Sequence, residues 1–134
     1  MTVAEAIAHN DTIQSDRIMM RINVLLFIIA CLFWVDSITA AEGFKEATWG
    51  KFAYSYPAEM WAALMMAASA VTINGLMMPV KRWMVVAGAA LHLTQFSIVA
   101  YSAIFTGGEF VVGIYAGLFF APIFGFALKE AMRD

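Results

Sequence analysis

Charged residues divide this chain into long apolar stretches with short polar separators. Between Arg21 and Glu42 lie 20 residues (INVLLFIIACLFWVDSITAA) interrupted only by Asp36. The 21 residues from Met60 to Val80 carry no charge, nor do the 26 from Trp83 to Gly108 or the 19 from Phe110 to Leu128. A helix rises about 1.5 Å per residue, so about 20 apolar residues cross a hydrocarbon core of about 30 Å. Each stretch meets that length. The runs are continuous instead of alternating, which argues against a β-barrel, and a backbone in lipid must satisfy its own hydrogen bonds. The pattern predicts an all-α integral membrane protein, one domain over residues 1–134, with transmembrane helices at about 19–41, 58–80, 83–106 and 110–128.

The separators carry local signals. Thr2-x-x-Glu5 fits a capping box and Asp11-x-x-Gln14 is a second cap-like start, so a short helical segment over 1–18 precedes the first span. If the second start is used, one helix runs from about Thr12 to Ala41, with Gly43 as its stop. Phe44, Trp49, Phe52, Tyr54 and Tyr56 surround Lys45, Glu46 and Lys51, the composition of an aromatic interfacial loop at headgroup level. Pro57 and Glu59 suit the first turn of the next helix. Pro79-Val80-Lys81-Arg82 and Thr106-Gly107-Gly108-Glu109 read as tight turns. The expected arrangement is two antiparallel hairpins pointing the same way.

Composition agrees with lipid as the solvent. Of 134 residues, 63% are hydrophobic and 13% charged, more apolar side chain than a small soluble domain can hide. The net charge of −2 gives no footprint for nucleic acid. The single cysteine, Cys31, excludes an intrachain disulfide and reads as a small buried hydrophobe. Arg17, Arg21, Lys81, Arg82, Lys129 and Arg133 fall on one side of the spans, and Lys45 and Lys51 on the other. By the positive-inside rule both termini are cytoplasmic, including the tail 129–134, in a bacterial inner membrane or its equivalent. The acidic residues Glu5, Asp11 and Asp16 ahead of the first span do not suit a cleaved leader.

Small residues let membrane helices approach closely. Gly113, Gly117, Ala121 and Gly125 recur every four positions, the most regular such face. Ala63, Ala67, Ala70 and Asn74 form another stripe, and Gly88 sits among alanines in the third span. These faces serve packing within the chain, a homo-oligomer or other membrane subunits. Pro122 marks a bend in the last helix. The methionine pairs point about 100° apart on a helix and read as adaptable filler, not a copper site.

Polar groups inside a span are the functional candidates. Asp36 lies near the outer boundary, within reach of water, Lys45 or Lys51. His92 is at mid-depth, with Gln95 and Ser102 on its face and Thr94, Ser97 and Tyr101 on a second strip. Asn74 is expected to approach it from the neighbouring helix. Hydrogen bonding across helices is the first role for this group. A proton or ion relay is the second. A tetrapyrrole with His92 as axial ligand, roomed by Gly88 one turn earlier, is the third. No nucleophile–base pair, phosphate loop or metal-ligand spacing is present. In size and span number the chain resembles the small multidrug resistance transporters. Those proteins need a buried carboxylate near the middle of the first helix, where this chain has only Asp36 near the outer end. The reading is a structural or accessory component of a membrane assembly, with an oligomeric channel or holin-like pore and a tetrapyrrole-binding electron-transfer or pigment subunit as alternatives.

Overall fold

The computed structural model describes residues 2–38, 46–78, 80 and 82–132. Among them every element is helical: α1 (Val3–Ile38), α2 (Glu46–Trp49), α3 (Lys51–Tyr54), α4 (Ala58–Met77), α5 (Trp83–Phe105) and α6 (Phe110–Ala131). Helices α1, α4, α5 and α6 are long and apolar enough to cross a bilayer. The molecule is a small membrane-embedded protein of four packed apolar helices.

Of the two start signals, the first is used. The Thr2 N–H donates to Glu5 Oε2 at 2.7 Å and the Glu5 N–H to Thr2 Oγ1 at 3.1 Å, a reciprocal capping box. Asp11 then lies inside α1, which runs unbroken for 36 residues. At about 54 Å it outreaches the hydrocarbon core, so the amino-terminal segment is an extension of the first span. Residues 39–45, where the sequence places the helix end and Phe44, lie outside the described residues.

Helix α1 packs on α4, α4 on α5 and α5 on α6, while α1 and α6 meet only lightly. Glycines set the closest approaches. A Cβ at Gly88 would stand 2.0 Å from Thr72 Oγ1, and one at Gly75 would stand 2.7 Å from the Val85 nitrogen. Gly113 faces the Ile104 side chain in the same way. Pairing 75 with 85 and 72 with 88 means that α4 and α5 run in opposite directions.

The stripes expected on α4 and α6 lie elsewhere than inside the bundle. Ala63, Ala67 and Ala70 are exposed and Asn74 is half-buried. The buried residues of α4 are Trp61, Ala62, Ala68, Ser69, Thr72 and Gly75. On α6 only Gly113 of the stripe is buried, whereas Gly117, Ala121 and Gly125 are exposed. The inner residues of α6 include Ala116, Ile123 and Phe126. A lipid-facing surface has no need of polar residues, so small-residue periodicity does not by itself show which side faces inward. Pro122 lies inside α6, which continues through it.

The aromatic segment folds as two short helices over the end of α5. The Lys51 N–H donates to the Thr106 carbonyl at 2.9 Å and the Ala53 N–H to Ser102 Oγ at 2.7 Å. The Glu109 N–H reaches the Thr48 carbonyl at 2.9 Å, and Trp61 Nε1 reaches the Ala53 carbonyl at 3.0 Å. Gly50 joins α2 to α3 at φ 89°, and a Cβ there would stand 2.1 Å from the Ser102 carbonyl oxygen. Only glycine combines that backbone with that contact. Phe52, Tyr54 and Tyr56 remain exposed, as side chains suited to the headgroup level do.

Gly88→Leu should destabilise the protein by about 1–3 kcal/mol through overpacking, whereas Gly117→Leu, where a Cβ meets nothing within 4 Å, should leave the stability of the single, dissociated chain within about 0.5 kcal/mol of the parent. Thermal unfolding of both variants in one detergent checks the contrast.

Candidate functional site: a buried polar node at His92

Helical spacing puts Gly88, His92, Gln95, Phe96, Val99 and Ser102 on the buried face of α5. His92 is fully buried. Its Nε2 lies 3.0 Å from Asn23 Oδ1 on α1 and 3.3 Å from Ser69 Oγ on α4, so one imidazole joins three helices. Asn23 Nδ2 donates to the Met19 carbonyl at 2.9 Å, which turns Oδ1 toward the histidine. That oxygen can only accept, so Nε2 carries the hydrogen. Nδ1 is buried without a protein partner among the described residues. Phe96 stacks on the ring at 5.7 Å between centroids.

Asn74 does not join this node. Its Nδ2 donates to Met84 Sδ at 3.6 Å. The antiparallel register explains the difference: with 72 opposite 88, His92 faces Ser69, and Asn74 is left near the α4–α5 turn. Gln95 Nε2 donates to the Trp61 carbonyl at 2.9 Å, while its Oε1 is buried without a partner among the described residues. Ser102 serves the α3 cap instead of the node. The second strip faces outward, with Thr94 Oγ1 donating to the Ala90 carbonyl and Ser97 Oγ to the Leu93 carbonyl, at 2.8 and 2.7 Å. Asp36 belongs to α1, but its side chain and Lys45 lie outside the described residues. Cys31 is half-buried, its thiol 3.7 Å from Met66 Sδ.

The residues around His92 do not fit a tetrapyrrole. Nε2 is engaged by two side chains, and Phe96 covers the ring. The space that Gly88 leaves is filled by Thr72 and the Ala68 carbonyl. No macrocycle can lie where α4 already packs.

A second cluster lies at the start of α5. Arg82 donates through Nη1 and Nη2 to the two carboxylate oxygens of Asp16, each at 3.1 Å, and through Nη2 to Glu130. One guanidinium thus links α1, α5 and α6. The Glu130 side chain is 4% exposed. Burial opposes the charge on Arg82, but the hydrogen bonds and charges of Asp16 and Glu130 outweigh it and raise its pKa above the usual arginine value. Sequence reading counted Arg82 as an orientation signal and missed its partners, which sit 66 and 48 residues away. Asn23 and Ser69 were also missed. Asn23 lies just inside the first apolar run, and Ser69 carries no pattern of its own. An uncharged amide just inside an apolar run was the one signal available.

Between the halves of α1 and α6 nearer α2 and α3 is a cleft of about 290 Å³, whose lining includes Leu26, Phe33, Trp49, Trp61, Gln95 and Phe119. Its walls are almost wholly apolar. Among the described residues no three His, Cys, Asp or Glu side chains converge as a metal would require.

A double-mutant cycle on Asn23→Ala and His92→Ala should give a coupling of about 0.6 kcal/mol, and at most about 2, the range for hydrogen bonds between membrane helices. Arg82→Gln, by removing the guanidinium from both Asp16 and the buried Glu130 carboxylate, should cost more, about 3 kcal/mol. Arg82→Lys should recover only part of that loss, because an ammonium cannot serve both carboxylates with the same fork. Unfolding of these variants in mild detergent measures each difference.

The chain matches no family model, no curated protein and no solved structure in comparisons with known proteins.

Proposed function

We propose that this chain is a structural or accessory component of a membrane assembly, held to a second copy or to other subunits by close helix packing. It sits in a bacterial inner membrane or its equivalent as two antiparallel hairpins, α1 with α4 and α5 with α6, both termini cytoplasmic. The distribution of Lys and Arg supports that orientation.

One contrast carries the functional reading. Inside the bundle, mid-depth polar side chains are turned onto other helices, as at His92 and Gln95, and close approaches use glycine. Outside, α6 presents Gly117, Ala121 and Gly125, with nothing within 4 Å of a Cβ at either glycine. That face has the chemistry of the internal contacts, and among the described residues no helix is in close contact with its glycines. Close packing is what such faces supply in lipid, where no hydrophobic drive brings helices together.

Native mass spectrometry after gentle solubilisation tests this. An oligomer or a stable complex is expected, with Gly117→Leu and Ala121→Leu shifting it toward the monomer while His92→Gln leaves it intact. A parent chain that is monomeric and free of partners sinks the proposal. The pore alternative rests on the exposed strip of Thr94, Ser97 and Tyr101. Ion conductance by the purified oligomer in liposomes would favour it.

A further inference from the structure

The light contact between α1 and α6 leaves a second opening at the end of the bundle that holds Arg82. It is a groove of about 260 Å³. Ile18, Met19 and Ile22 form one wall and Pro122, Gly125 and Phe126 the other, with Ser15 and Lys129 also lining it. In chain order Ser15 and Lys129 stand at the polar end of both walls. The stretch from Ser15 to Ile22 extends about 10 Å along α1, a large part of one leaflet's hydrocarbon depth of about 15 Å. Gly125 keeps the groove open, since a Cβ there meets nothing within 4 Å.

Charge distinguishes this groove from ordinary lipid-facing surface. Lys129 Nζ donates to Ser15 Oγ at 3.2 Å, a neutral partner. The neighbouring carboxylates, Asp16 and Glu130, are directed at Arg82. Among the described residues no carboxylate pairs with Lys129, and Arg17 and Arg21 are exposed on the same end of α1. A cation and a hydroxyl thus stand over an apolar channel as deep as the upper part of an acyl chain. We infer that this groove binds one anionic phospholipid, its phosphate on Lys129 and Ser15 and an acyl chain between Ile22 and Gly125. In the proposed orientation the site faces the cytoplasmic leaflet, where negative lipid headgroups attract basic residues. The zwitterionic phosphatidylcholine headgroup neutralises its own phosphate and is the poorer match.

Competition between equimolar phosphatidylglycerol and phosphatidylcholine for the purified full chain, read by native mass spectrometry, tests the site. The parent should retain one phosphatidylglycerol in preference. Lys129→Gln should lower that preference about fivefold, the equivalent of one cation at a membrane surface. Gly125→Leu should fill the groove and abolish retention of the tightly held lipid while the chain stays folded, because the new side chain displaces no protein atom. Gly117→Leu lies outside the groove lining and should leave lipid retention as in the parent. Equal retention of the two lipids, or a lipid count indifferent to Gly125→Leu, overturns the inference. So does parallel loss of lipid and oligomer in both glycine variants, which assigns the lipid to the interface between copies.

Discussion

Lipid offers a buried polar atom no hydrogen bond, and the arrangement of this bundle follows from where its polar atoms find partners. The imidazole of His92 is the clearest case. Its one N–H is shared between Asn23 on α1 and Ser69 on α4. This contact ties three of the four long helices to one depth. Sliding one helix by a turn, about 5.4 Å, strands a donor or an acceptor in an apolar interior at a cost of about 1–3 kcal/mol. The glycine contacts depend on the same register. Gly88 can meet Thr72 only if His92 meets Ser69 one turn further along α5.

The two ends of the bundle are closed by different chemistry. At the end carrying α2 and α3, backbone groups make the seal. The N–H groups of Lys51 and Ala53 bond to Thr106 and Ser102, and Trp61 is fastened from below to Ala53. At the other end charges make it, with Arg82 drawing Asp16 and Glu130 together. The division suits the surroundings. Unpaired peptide groups of a short connection are costly at the edge of hydrocarbon. Charges close to water can pair without the full desolvation penalty of an ion pair at mid-depth. Arg82 brings α1 and α6 to the same guanidinium even though they scarcely touch along their length.

That separation of α1 from α6 also leaves an opening lined by aromatic side chains and another with Lys129 at its polar end. A four-helix bundle with every neighbour in contact would have neither. The small-residue face of α6 lies on the exterior next to the Lys129 groove. Gly125 belongs to both. Packing against other helices and lipid capture therefore meet at a single border on α6.

The sequence alone determined the four spans, because length and continuous hydropathy answer to the thickness of hydrocarbon and not to any partner. It also offered the Thr2–Glu5 box, closed by residues three apart, as one of two starts for α1, and the structure decided between that box and Asp11. His92 and Gln95 were legible as buried polar residues for the same local reason: both fall within an apolar run. Tertiary structure decided what they bond to. Ser69 replaces Asn74 beside His92 because the α4–α5 register is set by contacts at Gly75 and Gly88, which no single-helix pattern contains. Tertiary structure also decided which small-residue faces turn inward. In water, burial separates apolar faces from polar ones and leaves a periodicity to read. In lipid both faces of a helix are apolar, so the inward side is chosen by packing and hydrogen bonds between segments far apart in the chain.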